Sequence, residues 1–313
     1  MPQSNSIRVN RPLSNISVAY KSQRLVADIL APRVNVEHET DQYFVYSKNS
    51  LIIPQTLRGN GSVSNESTWD VTTASYSLAQ HTLKHLVTDR DRSNADPAIR
   101  LDIDVTEYLT EKILLRKELD LANLVTTAAN WGNTTSLTST FAWNQNTTLS
   151  NPILFVDSAT TLIAQQSGML PNTVVVNDPT FRAAKEHISI VDRIKYTSTD
   201  SVTESLLAKL FNVTNFLVAG GIMNTGNEGI GDTTTNQNFI WTDCAFVAYI
   251  EPNPGLKKPS ALYQLTKSQF GNPFTVKTWR EEERGGDFIE ASTMYQHKVV
   301  SSDCAALIVN TVQ

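Results

Sequence analysis

Three consecutive glutamates, Glu281, Glu282 and Glu283, followed by Arg284, stand in the run WREEERGGDFIEASTMYQHKVV, from Trp279 to Val300. Neighbouring carboxylates are the raw material of acid–base catalysis, one giving a proton while another accepts one. On a strand, adjacent residues point to opposite faces, so only Glu281 and Glu283 share one. A catalytic pair also needs a cleft. Here two strand-like runs flank the glutamates, and Gly285–Gly286 can take the positive φ of a tight hairpin turn, which puts the carboxylates on a convex tip. A cytosolic hydrolase using Glu281 and Glu283 is therefore the remote reading. A solvated tip, or one that meets another subunit, fits better.

Other chemistry is sparser still. His81 and His85 have the spacing of a helical metal pair, but they sit in a strand-like stretch with no carboxylate or cysteine ligand nearby, so no metal site is expected. His297 falls on the apolar face of a strand and reads as a hydrogen-bonded core residue. GGIMNTGNEGIGD is glycine-rich but lacks the lysine of a phosphate loop and reads as a mobile loop. There is no Gly-x-Ser-x-Gly elbow and no Gly-x4-Gly-Lys motif. Cys244 and Cys304 each lie inside an apolar run, DCAFVAYI and DCAALIV, and read as reduced core cysteines. No catalytic residue, cofactor or metal is expected.

The composition agrees with a protein that is not a generic nucleic-acid binder. The chain has 313 residues, 40% hydrophobic and 18% charged, with a net charge of -5. That is enough for one large or two modest domains with a substantial core, and the acidic balance argues against nucleic-acid binding as the main task. No apolar run is long enough to span a bilayer, and the N-terminus lacks a signal-peptide core. Synthesis and retention in a cytosol are expected, with the Asn-x-Ser/Thr triplets at Asn15, Asn60, Asn65, Asn133, Asn146 and Asn212 unglycosylated.

Several elements must position these residues. Met1 to Ala27 carries Arg8, Arg11, Lys21 and Arg24 and no acidic residue, and its apolar residues are too sparse for a place in the monomer's core. Residues 35–88 read as a long two-stranded excursion, out through QYFVYS, round a tip LRGNGSVSNES and back through TTASYSLAQHTLKHLV. Such a pair cannot be stable alone and must lie on something, most plausibly another copy. Asp96 and Pro97 are suited to start a helix that runs to about residue 130, with Leu101, Val105, Tyr108, Leu109, Leu115, Leu119 and Ala122 at helical spacing. Asp96–Arg100 and Arg116–Asp120 are i,i+4 pairs. Residues 150–270 alternate helices and strands. SNPILFVDSATTLIAQQSG is a helix stopped by Gly168, PNTVVVND a buried strand, DPTFRAAKEHISIVDRI one helix and TDSVTESLLAKLF another. NFLVAGGI, FIWTDCAFVAYI and PSALYQLT complete a mixed sheet. FTVKTWREE and DFIEASTMYQHKVV then form a long hairpin in which Ile289, Ala291, Thr293, Tyr295, His297 and Val299 share a face.

These parts describe a tile better than an enzyme. The chain resembles the major capsid (coat) proteins of tailed bacteriophages, with the Hong Kong 97-like fold. The resemblance rests on LLRKELDLANLVTTAANWGNTTSL (114–137), SIVDRIKY (189–196), FIWTDCAFVAYIEPNPGLKKPSA (239–261) and WREEERGGDFIEASTMYQHKVVSSDCAALI (279–308), which span about two thirds of the chain in the family's order. It implies an α+β fold with an N-terminal arm over 1–34 and an extended loop over 35–88. A peripheral domain is made of 89–149, with a spine helix over about 96–130, and of 270–313. An axial domain occupies 150–269. It also implies hexamers and pentamers closing an icosahedral head around double-stranded DNA, with a portal protein at one vertex. Scaffolding is expected as a separate protein, decoration proteins are possible partners, and no membrane is involved. The location is the virion, assembled in a host bacterial cytoplasm. Some relatives join a Lys to an Asn of a neighbour; neither partner can be matched here. The alternative is an encapsulin-like shell of a cellular compartment. On either reading the glutamate run, with Arg284, is an intersubunit contact candidate, its basic partners being Arg8, Arg11 and Arg24 of the arm and Arg58 and Lys84 of the loop.

Overall fold

The computed structural model describes residues 24–46, 51–67, 71–95, 100–195, 202–226, 236–255, 258–267 and 274–313. Its strands are β1 (Arg33–Asn35), β2 (Thr40–Tyr46), β3 (Val71–Ser77), β4 (Ala79–Thr88), β5 (Asn133–Ser136), β6 (Thr173–Asn177), β7 (Asn215–Ala219), β8 (Ile222–Asn224), β9 (Gln237–Phe239), β10 (Cys244–Ala248), β11 (Leu262–Thr266), β12 (Phe274–Glu281), β13 (Gly286–Val299) and β14 (Ala305–Val309). Its helices are α1 (Ala27–Leu30), α2 (Asp89–Asn94), α3 (Leu101–Thr126), α4 (Pro152–Ser167), α5 (Asp178–Glu186), α6 (Ile188–Ile194) and α7 (Glu204–Leu210).

The long strand β13 organises the first sheet. β12 faces its first half, from Glu281 opposite Gly286 to Phe274 opposite Thr293, and β11 faces its second half. Tyr295 stands opposite both Ala79 of β4 and Thr266 of β11, so β4 and β11 occupy opposite edges of β13. β1 adds to β11 in parallel. As the two-residue period requires, Ile289, Ala291, Thr293, Tyr295 and His297 are buried, and Val87, Leu109, Ile113, Ile289 and Ala291 form the core between this sheet and α3.

The second sheet runs β5–β14–β10–β6–β7. Its three inner strands are almost continuously apolar because both faces are covered. One core lies on the side of α3, Val26 and Trp241; the other holds Trp143, Ile163, Ile190 and Phe216. β5 and the C-terminal β14 lie in this sheet although the sequence division put them with the hairpin. β11 lies in the hairpin's sheet although it was placed with the α/β segment. Assignment by chain order fails where a strand crosses from one layer to the other.

Other local expectations are corrected. α3 begins at Leu101, with Arg100 at its cap position, and ends at Thr126, about 39 Å at 1.5 Å per residue; Asp96 and Pro97 lie outside the described residues. Its buried stripe is Leu109, Ile113, Lys117, Glu118, Leu121, Ala122 and Val125, whereas Tyr108 is exposed. Residues 178–194 are two helices, because His187 takes an extended conformation (ψ 132°) and caps the second through its own ring; the first is capped by Asn177. In the hairpin only Gly285 has a positive φ, of 56°; Gly286 is extended and is required because a Cβ there would stand 2.5 Å from the Val87 carbonyl oxygen. The excursion pairs β2 with β3 as expected, but β4 leaves it to join β13. Arg24 to Ala31 is no loose arm: Val26, Ala27, Leu30 and Ala31 are core residues of the monomer.

Candidate functional site

The charged cluster around the hairpin is real, but its members differ from those read in the sequence. β12 stops at Glu281, and Glu282–Arg284 is a 3-10 turn, so strand alternation does not bring Glu281 and Glu283 to one face. The gathered groups are Asp89, Arg92, Asp102, Arg280 and Asp287. Both terminal nitrogens of Arg280 donate to the Asp89 carboxylate, at 2.7 and 2.6 Å, a two-pronged geometry that suits guanidinium and carboxylate. Hydrogen bonding from Arg280 holds the Asp89 carboxyl below its ordinary range. Arg92 donates to Asp102 at 2.8 Å and also to Asp287. A polar cleft of about 360 Å³ lies among Arg92, Asp102, Thr278, Arg280 and Asp287 and takes in none of the three glutamates. The network clips α2 and the first turn of α3 to the hairpin. Glu282 lies 3.6 Å from Arg280 with its side chain 84% exposed, so that contact adds little in water.

The basic residues named from the sequence fall in three places. Arg8 and Arg11 lie outside the described residues. Arg58, near the excursion tip, donates to the Ser62 carbonyl at 2.6 Å. Lys84 lies over the Phe288 ring at 4.6 Å, Arg284 over the same ring at 5.8 Å, and Arg24 faces Glu204 at 3.5 Å. Among the described residues, none of Arg24, Arg58, Lys84 and Arg284 meets Glu281–Glu283 in an ion pair within the chain.

The remaining candidates resolve simply. His81 stacks on Tyr295 with ring centroids 4.4 Å apart. Among the described residues no group of three or more His, Cys, Asp or Glu is placed to hold a metal ion. Cys244 and Cys304 are buried free thiols, and burial pushes the Cys244 thiol up to about 12. His297, expected to be hydrogen-bonded, is buried with neither ring nitrogen in a hydrogen bond of normal geometry, the Lys117 backbone being the polar group it faces. Burial, and then the Lys117 cation, lower its pKa to about 4. In the glycine-rich stretch, β8 pairs with β9; residues 227–232 lie outside the described residues. Among the described residues no helix is long and apolar enough to cross a membrane.

Two features escaped the sequence reading. The first is a row of large apolar side chains on the excursion: Phe44 is 67% exposed, Leu51 and Ile52 66%, Leu57 80%, Val63 87% and Ile53 92%. Scattered exposed apolar residues are ordinary, but these six lie on one excursion that has no core of its own. The second is Glu118, fully buried. Its carboxylate accepts from the backbone N–H of Val26 at 3.0 Å and Ala27 at 2.8 Å and from the Trp241 indole at 2.6 Å. Burial raises its pKa, and the three donors oppose that rise. Beside it the buried Lys117 ammonium meets Asp28, which also receives Arg33 at 2.7 Å. The available signal was the spacing to the apolar stripe: Lys117 stands four residues from both Ile113 and Leu121, and Glu118 three from Leu121 and seven from Val125.

No protein-family model matches the chain. The chain is 25% identical over 317 residues, 98% of each protein, to a major capsid protein of Burkholderia phage BcepMu. It is 27% identical over 226 residues, 71% of each, to a major capsid protein of Pseudomonas phage JBD67. Among solved structures, a phage-related protein from Bordetella bronchiseptica RB50 superposes with a TM-score of 0.71 at 20% identity, covering 93% of both chains. The capsid protein of Myoviridae phage XM1 gives 0.61 at 12% identity, over 97% of this chain and 99% of that one. An encapsulin of Synechococcus elongatus PCC 7942 gives 0.55 at 12% identity, over 97% and 96%. The chain thus has the Hong Kong 97-like fold of phage capsid proteins and resembles phage major capsid proteins in sequence, in one case over nearly its whole length.

Proposed function

We propose that this protein is the major capsid protein of a tailed double-stranded DNA bacteriophage, a structural tile and not an enzyme. It assembles with itself into hexamers and pentamers that close an icosahedral head in the host cytoplasm and remain in the virion. The observation that carries this reading is the excursion. Its apolar side chains, up to 92% exposed at Ile53, have no partner surface within the described residues and need one on a neighbouring copy. The sequence likeness to phage major capsid proteins supports the same reading.

Glu281, Glu282 and Glu283 are contact residues between copies on this proposal. Their partners on a neighbouring copy are drawn from the basic residues Arg8, Arg11 and Arg24 of the N-terminal segment and Arg58 and Lys84 of the excursion. DNA lies inside the shell without sequence-specific contacts, and the portal fills one vertex. The encapsulin likeness supports a second reading, a compartment shell that holds protein cargo. Electron microscopy of the purified protein tests the first level: closed shells are expected, and a protein that stays monomeric at high concentration and low salt overturns both readings. Particles recovered from a natural source then separate the two, since a head contains DNA and a compartment contains protein.

A further inference from the structure

Residues Arg24 to Ala31 pass between α3 and the second sheet and are held from both sides. On the sheet side the Arg24 carbonyl accepts from Gly220 N–H at 3.3 Å, and its guanidinium faces Glu204 at 3.5 Å. On the helix side Glu118 receives the first two amides of the α1 turn, and Lys117 meets Asp28. Glu118 reaches past the segment as well, accepting the indole N–H of Trp241, which leads into β10. Val26, Ala27, Leu30 and Ala31, each no more than 4% exposed, fill the space among Leu121, Val125, Ile240 and Trp241.

We propose that Arg24–Ala31 is a strap, a segment that opens as a separate cooperative unit and that, when seated, locks α3 to the second sheet. Its opening is all-or-none because a half-seated strap leaves buried Lys117 without Asp28 and Glu118 with the Trp241 indole as its one remaining donor, a costly condition for ionised groups. Its opening is separable because no strand of either sheet lies within the segment. Seating it takes four apolar side chains and one set of polar links, while both sheets retain their own ladders. The consequence for assembly rests on the proposed function: a subunit that serves in rings of five and of six meets its neighbours at different angles. The seam under the strap is where this chain can yield. The strap itself is a property of the single chain and is tested there.

Native-state hydrogen exchange of the unassembled full-length protein, in urea below the unfolding transition, decides the matter. The amides of Val26, Ala27, Leu30 and Ala31 are expected to exchange together through an opening of small urea dependence. The β10 amides Phe246 and Val247 should exchange only through global unfolding. Glu118→Gln keeps the shape but turns an amide donor toward donors. It should speed strap exchange about 10- to 100-fold, the loss expected for hydrogen bonds to a charged group, and leave β10 unchanged. The proposal is overturned if wild-type strap and β10 amides share one rate and one urea slope, or if Glu118→Gln accelerates both equally. Should that variant fail to fold, the wild-type comparison decides alone.

Discussion

Replacing Ile53, Leu57 and Val63 together by Ser removes the three most exposed large apolar side chains among the described residues of the excursion, at 92%, 80% and 87% exposure. In the free subunit these groups are already in water, so unfolding in urea should stay within about 0.5 kcal/mol of wild type. In the shell the balance differs. Fully burying such a side chain is worth about 1.5–3 kcal/mol, so half-burial of three contributes roughly 2–4 kcal/mol per subunit contact. At about 1.4 kcal/mol per factor of ten, the contact weakens roughly 30- to 1,000-fold. Sedimentation and light scattering against protein concentration read this as a raised threshold for shell formation, while circular dichroism and urea melts report on the fold. An assembly threshold within about threefold of wild type, with the fold intact, would refute the argument that this surface is buried between copies.

Three further outcomes are expected. His297 has its pKa lowered to about 4 from an ordinary 6.5, so the unfolded chain takes the proton first and stability should fall as pH drops from about 6.5 toward 4. The full shift bounds the loss at about 3 kcal/mol at 1.36 kcal/mol per unit, and urea melts of His297→Phe should lack that part of the pH slope. Gly286→Ala should destabilise the subunit by about 1–3 kcal/mol or more in the same melts, since the new methyl meets the Val87 carbonyl oxygen at 2.5 Å and neither backbone can yield. Changing Glu281, Glu282 and Glu283 to Gln should leave the monomer's urea midpoint nearly unchanged, because the Glu282–Arg280 contact is solvated. Assembly yield should fall, or lose salt sensitivity, as exposed pairs screened over about 8 Å do; an unchanged salt profile returns the run to a plain solvated turn.

What the sequence determined by itself was local. Gly168 ending a helix at φ 72°, the alternation of β13 and the turn between β12 and β13 each follow from neighbouring residues and survive in the fold. The ordered set of longer stretches was enough for the family resemblance. Tertiary structure decided which charges meet. Arg280 and Asp89 stand 191 positions apart, and the 92-residue separation of Glu118 from Val26 leaves no periodic trace. A buried carboxylate is tolerated only where distant donors converge on it, and a strand's layer is chosen by which sheet edge lies open when it arrives. Sequence alone therefore does not single out Glu118 and Lys117, and it groups β14 with the hairpin in 270–313. Three-dimensional packing placed the first two under the strap and the third in the other sheet.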